Sequence, residues 1–252
     1  MQPSVFIALP VYIGLQARTF QAIMGCFSQA RIHVHLLGGC PEIAKARSEL
    51  VAVFLESECE HLLFVDSDIG FGPEVLRDLL DCNAALVTAT YKEKASPHNW
   101  TCEGAGTLVS LPLSYQGRRR LRTIPILRAG LGLTLIRRDV FTSIQAFNRN
   151  LFYQSEASQK QVCHMFAPMI ERDSARIPRL LSEDTAFYFR ARQVGIQPHC
   201  LIDATIDHSG VIANLGKELD THRGTPYSGS CSNLIMSQPP DLRLCRTREV
   251  LR

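Results

Sequence analysis

Asp66 and Asp68 are separated by one residue and directly follow an apolar run, residues 62–65, that contains a phenylalanine and a valine. Such a run is typical of a buried strand, and the turn-forming residues after Asp68 predict that the chain leaves the sheet there. Two carboxylates at one strand end repel each other unless they are protonated, hydrogen-bonded or bridged by a cation, and hard divalent ions prefer oxygen ligands. The pair therefore favours a metal ion that holds a phosphate-bearing substrate. The alternative is that one aspartate caps the helix predicted near Pro73 and the other is solvated.

The elements that must position these carboxylates alternate between strands and helices. Strands are predicted at residues 5–10, 32–36, 62–65 and 85–89, and helices begin near residue 14, at 41 and at 73. The first helix is amphipathic, and its apolar residues are Phe20, Ile23, Met24 and Phe27. Alternating strands and helices predict an α/β fold, a three-layer sandwich with a mostly parallel central sheet of Rossmann-like type. The two standard glycine-rich phosphate loops do not occur in the sequence.

The second half of the chain is less regular. Residues 91–127 are rich in turn residues and contain a basic run at residues 118–122. The apolar segment that follows is interrupted by Gly130 and Gly132. The further predicted elements are a short helix from residue 139, a hairpin of residues 151–153 with 162–166, a helix from 182 to 195 with Ser182 as N-cap, and a strand at 200–202. Residues 215–252 are rich in Gly, Ser, Pro and Thr and predict a mobile tail or lid.

Length and composition indicate a globular protein. At 252 residues, 46% hydrophobic and 20% charged, the chain can bury a full core as one large or two small domains. No apolar run reaches the ~20 residues that cross a bilayer, and the N-terminus lacks a signal peptide pattern, so we expect a soluble cytoplasmic protein with no membrane insertion. Nine scattered cysteines without Cys-x-x-Cys spacing predict reduced thiols and argue against a zinc site or a disulfide framework.

The order of four features resembles the GT-A fold glycosyltransferases, which move a sugar from a nucleotide diphosphate sugar to an acceptor. The features are Asp66 with Asp68, the segment with Gly130 and Gly132, the helix start with Glu183 and Asp184, and His208. The acidic helix start is similar to that of the family-2-like members, and the resemblance covers roughly residues 4–212. It implies a GT-A domain at residues 1–214, with a nucleotide-sugar-binding half at 1–90 and an acceptor-side half at 91–214.

The resemblance implies a role for each acidic residue. Asp68 would bind Mn²⁺ or Mg²⁺, Asp66 would contact the ribose or share the metal through water, and His208 would be a third ligand that favours Mn²⁺. Asp184 would be the catalytic base of an inverting hexosyltransferase, and Glu183 would orient the acceptor. The alternatives are a hydrogen-bonded histidine without a metal at position 208 and a solvated carboxylate that favours the helix dipole at position 184.

Six further residues are expected to bind the donor, for which a UDP-sugar is the first expectation. They are Pro10, Arg47, Lys92, Lys94, Gly130 and Gly132, together with Asp66. Arg47 lies on the second predicted helix, and both lysines follow a strand end, where they can meet a uridine-type base or the diphosphate. The alternative for such charged strand ends is plain solvation.

The basic run at residues 118–122 bears on the acceptor. Four arginines in five positions can form a phosphate-binding patch, which would fit a modified base in DNA as acceptor. The alternative is an exposed hairpin turn, in which case a glycan, lipid or protein acceptor is favoured. Trp100 and Tyr115 could stack on a sugar or base, or belong to the core.

Two other functional classes remain open. A haloacid-dehalogenase-type phosphatase also places Asp-x-Asp after an apolar strand, although that strand normally lies near the N-terminus. A non-catalytic nucleotide-sugar-binding protein would use the same acidic residues without turnover. The sugar, the acceptor and the oligomeric state do not follow from the sequence.

Overall fold

The computed structural model describes residues 2–94, 99–105, 109–113, 120–172, 177–209 and 211–221. The strands in these residues are β1 (Ser4–Val11), β2 (Arg31–Gly38), β3 (His61–Val65), β4 (Ile69–Phe71), β5 (Leu86–Ala89), β6 (Cys102–Gly104), β7 (Val109–Leu113), β8 (Arg120–Ala129), β9 (Leu133–Arg137), β10 (Phe152–Gln154), β11 (Gln161–Cys163), β12 (Met169–Glu171), β13 (Arg179–Leu181), β14 (His199–Leu201), β15 (Ile206–His208) and β16 (Val211–Ala213). The helices are α1 (Ala17–Cys26), α2 (Ile43–Glu56), α3 (Pro73–Asp81), α4 (Arg138–Phe147), a 3₁₀ turn (Arg149–Leu151), α5 (Glu183–Gln193) and α6 (Leu215–Thr221).

The central sheet has nine strands in the order β2-β1-β3-β9-β5-β14-β8-β6, with β7 also paired to β8. Seven of these strands run in one direction, whereas β8 and β9 run in the other. The predicted α/β class with a mostly parallel sheet is therefore confirmed. The reversed strand β9 was not predicted, because residues 124–136 give only an apolar pattern. It lies between β3 and β5, and its start at Leu133 is paired with the end of β3 at Val65.

Helices cover both faces of the sheet and produce the predicted three layers. Successive side chains of a strand point to opposite faces, so Phe6 and Ala8 of β1 enter one core while Val5 and Ile7 enter the other. The first core includes buried residues of α2, α4 and α5, and the second those of α1 and α3. The two apolar faces of the sheet thus fix both helix layers.

Helix α2 ends where a side chain from another element satisfies its last carbonyls. The Arg138 guanidinium, at the start of α4, donates to the carbonyl oxygens of Phe54, Leu55, Ser57 and Cys59 at 2.6–3.1 Å. Its guanidinium also lies 4.4 Å from the centre of the Phe54 ring. A helix leaves its last four carbonyls without an internal partner, so this arginine fixes the end of α2 and the start of α4 together.

Helix α1 differs from its prediction in both its start and its buried face. It begins at Ala17 rather than near Gly14. Of the four apolar residues predicted to form its core face, only Ile23 is buried, and Phe20, Met24 and Phe27 are exposed. The residues that face the sheet are Thr19, Ala22, Ile23 and Cys26. The apolar face was therefore misplaced by the sequence pattern, which follows the largest side chains.

The second half confirms several predicted elements. Strands β10 and β11 pair as the predicted hairpin, helix α5 occupies 183–193, and β14 lies at the predicted strand. The prediction of an irregular tail is wrong for residues 215–221, because Leu215–Thr221 form α6, and Leu215 is buried in the first core. Residues 222–252 lie outside the described residues, and the domain boundary at 214 stays a prediction.

Seven cysteines fall in the described residues, and all seven are free thiols, as predicted. Five of them are buried, which is consistent with a structural role. Among the described helices, none combines the length and the apolar character that crossing a bilayer requires.

Candidate active site

The predicted site residues meet at the carboxyl edge of the parallel strands. Asp66 follows the end of β3, Tyr91 lies just beyond β5, and the turn before β9 brings Gly132 beside Asp66, whose backbone N–H donates to the Gly132 carbonyl at 2.9 Å. Ligands of open α/β sheets bind at this edge. Pro10, also predicted to be part of the site, is the second-last residue of β1 and is paired with Leu37 of β2.

Arg47 joins the two acidic motifs. Its Nη2 donates to both carboxylate oxygens of Asp66, at 3.1 and 3.3 Å, and its Nη1 bonds Asp184 Oδ1 and lies 3.8 Å from Glu183 Oε1. The arginine projects from α2 and is buried. We call Arg47, Asp66, Glu183 and Asp184 the Arg47 cluster. The sequence predicted each member, but not that one guanidinium holds all three carboxylates.

The Asp184 carboxyl has a raised pKa because it is buried. Burial raises the pKa of its carboxyl to about 6, from an ordinary value of 3.8; Arg47 opposes the rise, while the charges of Glu183 and Asp66 add to it. The backbone N–H of Leu131 donates to Asp184 Oδ2 at 3.4 Å. A carboxyl with a pKa close to neutral is ionised at physiological pH and still basic enough to take a proton in a transition state.

Glu183 and Asp184 lie in the first turn of helix α5. Ser182 occupies the predicted N-cap position with extended backbone angles, but its side chain caps no backbone N–H. Its hydroxyl instead lies 3.2 Å from the Thr185 hydroxyl. Glu183 and Asp184 are therefore the groups that complement the positive N-terminal end of the helix dipole.

Asp68 has a separate set of partners. Lys94 Nζ forms an ion pair with Asp68 Oδ2, the Ser209 hydroxyl donates to the same oxygen at 2.9 Å, and His208 Nε2 lies 3.7 Å from it. We call Asp68, Lys94, His208 and Ser209 the Asp68 cluster. Burial by itself raises the pKa of Asp68, but the contacts with Lys94, Ser209 and His208 outweigh it, so that the pKa lies below its ordinary value.

The orientation of His208 follows from a backbone contact. Its Nδ1 lies 2.7 Å from the Lys92 carbonyl oxygen. A carbonyl oxygen only accepts hydrogen bonds, so Nδ1 carries the proton, and in the neutral ring the lone pair is on Nε2, the atom that faces Asp68. A hydrogen bond of this kind fixes the tautomer and orientation of metal-binding histidines.

The donor set at Asp68 fits a divalent cation in part. A carboxylate and a neutral imidazole nitrogen suit Mn²⁺, and the phosphate oxygens of a substrate commonly complete such a shell. Within the part of the chain that the structure describes, no three His, Cys, Asp or Glu side chains lie close enough together to hold a metal ion. Arg47 donates to the Asp66 carboxylate, and a role of Asp66 in sharing the metal through water stays a prediction. The metal role of Asp68 and His208 stays a prediction.

Tyr91 connects the two clusters and was missed by sequence reasoning. Its hydroxyl accepts from the Gly132 N–H at 3.1 Å, and its ring lies edge-on to the His208 ring at 4.7 Å between centroids. A Cβ at Gly132 would lie 2.4 Å from the Tyr91 hydroxyl and 2.7 Å from Asp66 Oδ2, and one at Gly130 would lie 2.6 Å from that hydroxyl. Both positions therefore require glycine, because any side chain there would meet the Tyr91 hydroxyl. The available signal for Tyr91 was an aromatic residue two positions after a predicted strand.

The Lys92 side chain points away from the Asp68 cluster. Its ammonium lies 3.1 Å from Glu218 of α6 and 4.2 Å from the centre of the Trp100 ring, and Trp100 Nε1 donates to the same Glu218 oxygen at 3.1 Å. The group of Lys92 that lies in the site is therefore its backbone carbonyl, which accepts from His208 Nδ1. Trp100 is buried, in line with the core alternative, and Tyr115 lies outside the described residues.

The basic run is described only at its end. The side chains of Arg118, Arg119 and Arg120 lie outside the described part of the chain. Arg122 donates to Asp203 at 2.7 Å and to Asp220 of α6 at 2.7 Å. One of the four arginines assigned to a phosphate patch therefore holds α6 in place.

Comparisons with known proteins bear on the fold. No family model and no curated protein matches the chain. Among solved structures, A197 from STIV is similar with a TM-score of 0.51 and 15% identity, over 82% of this chain and 85% of that chain. S. aureus TarS 1-349 in complex with UDP-GlcNAc has a TM-score of 0.39 and 15% identity, over 80% of this chain and 56% of that chain. GalNAc-T7 with UDP, GalNAc and Mn²⁺ has a TM-score of 0.41 and 9% identity, over 82% of this chain and 44% of that chain. The chain spans about half of these last two structures. The likeness to A197 shows that the two chains share their fold.

Proposed function

We propose that this chain is a metal-dependent glycosyltransferase that moves a sugar from a nucleoside diphosphate sugar to an acceptor hydroxyl. The observation that carries the proposal is the meeting of a candidate base and a candidate cation site at one sheet edge. Asp184 and Asp66 share Arg47, while Asp68, two residues from Asp66, faces His208 Nε2 at 3.7 Å. The same residues, in the same order, carry the resemblance to GT-A glycosyltransferases.

The Asp68 cluster is suited to the donor diphosphate. Asp68 and His208 would hold Mn²⁺ or Mg²⁺, which as a Lewis acid neutralises charge on the leaving diphosphate. Lys94 is exposed and carries a long side chain, so it can leave Asp68 and bind a phosphate oxygen. The partly exposed Asp66 carboxylate remains for ribose hydroxyls, and UDP-sugars are the first donors to test.

The Arg47 cluster is suited to the acceptor. Asp184 takes the proton of the acceptor hydroxyl as that oxygen bonds to the anomeric carbon, and the bond from this carbon to the diphosphate breaks with its electron pair on the leaving oxygen. This single displacement inverts the anomeric configuration. Glu183, beside Asp184 in the first turn of α5, orients the acceptor.

A modified base in DNA is the acceptor that the basic run supports. Arg122 is engaged by Asp203 and Asp220, so the phosphate contacts fall to Arg118, Arg119 and Arg120. Neutralising these three should weaken DNA binding and flatten its salt dependence by roughly one unit of slope per lost phosphate contact, without changing donor affinity. A variant that transfers sugar normally, with no salt dependence of binding, would favour a glycan, lipid or protein acceptor.

Asp66 and Asp68 are bonded to different partners, and this disfavours the phosphatase alternative. A phosphatase of that type needs Asp66 as nucleophile and Asp68 as acid on one phosphoryl group. Here Asp66 is bonded by the buried Arg47, and Asp68 by Lys94 and Ser209. A protein that only binds nucleotide sugars would in turn have no use for the perturbed Asp184.

A thermal-shift screen of nucleoside diphosphate sugars, with and without Mn²⁺, tests the proposal. We expect at least one donor to raise the unfolding temperature only with Mn²⁺ and to release diphosphate slowly, since ligand that binds the native state stabilises it. Asp68→Ala should abolish both effects, whereas Asp139→Ala, which removes an exposed ion-paired aspartate, should keep them. The proposal fails if no donor binds or if Asp68→Ala binds as the parent does.

A further inference from the structure

Helix α1 exposes three large apolar side chains on one face. Phe20, Met24 and Phe27 are 55%, 52% and 52% exposed, and their spacing of four and three residues places them along one stripe. The opposite face of α1 is buried against the sheet and α3. A surface helix normally carries polar residues on its outer side, so this face departs from the expected pattern.

The stripe lacks charge. Within α1 the one charged residue is Arg18, and it is ion-paired with Asp207 at 2.5 Å. The exposed residues that flank the stripe, Ala17, Gln21 and Ser28, are also uncharged. Depletion of charge together with exposed aromatic and methionine side chains is typical of the centre of a protein interface. A helix that binds an anionic membrane surface would instead carry free Lys or Arg.

The stripe and its exposed neighbours supply the area for self-association. At roughly 100 Å² for each half-exposed large side chain, Phe20, Met24 and Phe27 present about 300 Å², within the range of the largest apolar patches of ordinary monomers. Two copies would together bury about 600 Å² from these side chains, and the exposed residues Ala17, Gln21 and Ser28 beside them extend the contact towards the roughly 1,000 Å² of a specific interface.

We propose that α1 pairs with α1 of a second copy of this chain across a two-fold axis. Phe20 and Phe27 lie three to four residues on either side of Met24. An antiparallel pair of helices therefore sets Met24 against Met24 of the second copy and Phe20 against Phe27 of the second copy. Such a self-complementary seam is what a two-fold interface requires, and an uncharged seam causes no repulsion between identical copies. The dimer is independent of the proposed glycosyltransferase activity.

Sedimentation velocity across the micromolar range tests the dimer. We expect the parent chain to dimerise and Met24→Lys to weaken dimerisation by roughly 100-fold or more, because two ammonium groups would be buried at the axis. The matched control is Phe147→Lys at the end of α4, where a single phenylalanine is 61% exposed away from α1, and it should dimerise as the parent does. Unchanged unfolding temperatures show that the variants fold.

A second variant covers the case in which Met24→Lys does not fold. Met24→Cys should form a disulfide-linked dimer on oxidation with copper phenanthroline, and Phe147→Cys should not. A monomeric parent, an unweakened Met24→Lys dimer, or equal cross-linking of the two cysteine variants would overturn the proposal. The stripe would then be left to a different protein or to residues 222–252.

Discussion

The two aspartates of the strand end occupy different electrostatic environments although they are two residues apart. Asp66 belongs to the Arg47 cluster, whose cation is a guanidinium with 3% of its side chain exposed. Asp68 belongs to the Asp68 cluster, whose cation is an ammonium with 56% of its side chain exposed. A buried guanidinium holding three carboxylates is fixed in place, whereas an exposed lysine exchanges readily for another cation. The difference teaches that one half of the site is preorganised and the other is open to ligand.

Burial raises the pKa of the Asp184 and Asp68 carboxyl groups alike, but the net shifts of the two pKa values are opposite. For Asp184, desolvation dominates and raises the pKa to about 6. For Asp68, the contacts with Lys94, Ser209 and His208 outweigh desolvation and lower the pKa. A raised pKa suits a group that takes up a proton, and a lowered pKa suits one that stays ionised to hold a cation.

Removing the fixed cation should have the largest effect. Arg47→Met leaves Asp66, Glu183 and Asp184 without their shared partner, and we expect it to lower the free energy of unfolding by about 3–5 kcal/mol, the cost of breaking a buried ion pair. Urea unfolding measures this. Arg18→Met, which breaks a more exposed pair with Asp207, should cost less than about 1 kcal/mol. Equal losses in the two variants would show that the Arg47 cluster is not specially dependent on its arginine.

Removing the base should affect turnover more than folding. Asp184→Asn should reduce sugar transfer by roughly 100-fold or more, the usual worth of general base catalysis, and leave donor affinity unchanged. Steady-state rates and donor titrations with Mn²⁺ check both quantities. Glu183→Gln is the control and should reduce transfer less. A greater loss in the glutamate variant would assign the base to Glu183.

A substitution at Gly132, where the two clusters come close together, should lower the free energy of unfolding by a smaller amount. Gly132→Ala places a Cβ against the Tyr91 hydroxyl and the Asp66 carboxylate, so we expect a cost of about 1–3 kcal/mol from overpacking. Gly14→Ala, where nothing lies within 4 Å of the added atom, should be close to neutral in the same unfolding measurement. If both substitutions are neutral, Tyr91 and Asp66 are free to move apart.

Removing Lys94, the exposed cation beside Asp68, should change the free energy of unfolding least. Lys94→Ala should cost less than about 1 kcal/mol, yet strengthen Mn²⁺ binding severalfold, because no ammonium then competes for Asp68. Calorimetric titration with Mn²⁺ alone measures this. Lys160→Ala removes an ion pair with Glu56 whose lysine is equally exposed, and it should leave Mn²⁺ affinity unchanged. Weaker binding to the Lys94 variant would contradict the competition.

The sequence predicted those parts of the site that depend on local pattern. Asp66 and Asp68 follow a run whose apolar character alone marks a buried strand, and Glu183 and Asp184 follow a helix start signal. Contacts between distant segments were not predictable. The place of β9 between β3 and β5 depends on strand pairing, and so does the approach of Gly132 to Tyr91. The bond from Arg47 to Asp184 depends on where α2 and α5 lie relative to the sheet. Glu218 was missed because α6 is short and its composition resembles a loop.

The pH dependence of donor turnover tests the division between the two clusters most directly. Release of diphosphate from a bound nucleotide sugar should rise about tenfold per pH unit below about pH 6 and level off above it, because Asp184 must lose its proton to act while Asp68 is already ionised. Stability should change in the opposite sense. The raised pKa of Asp184 stabilises the fold fully below its ordinary value of 3.8, and this contribution is lost as the pH rises through about 6. Asp184→Asn should abolish both the step in rate and the loss of stability; if the variant retains the step in rate at the same pH, Asp184 is not the base.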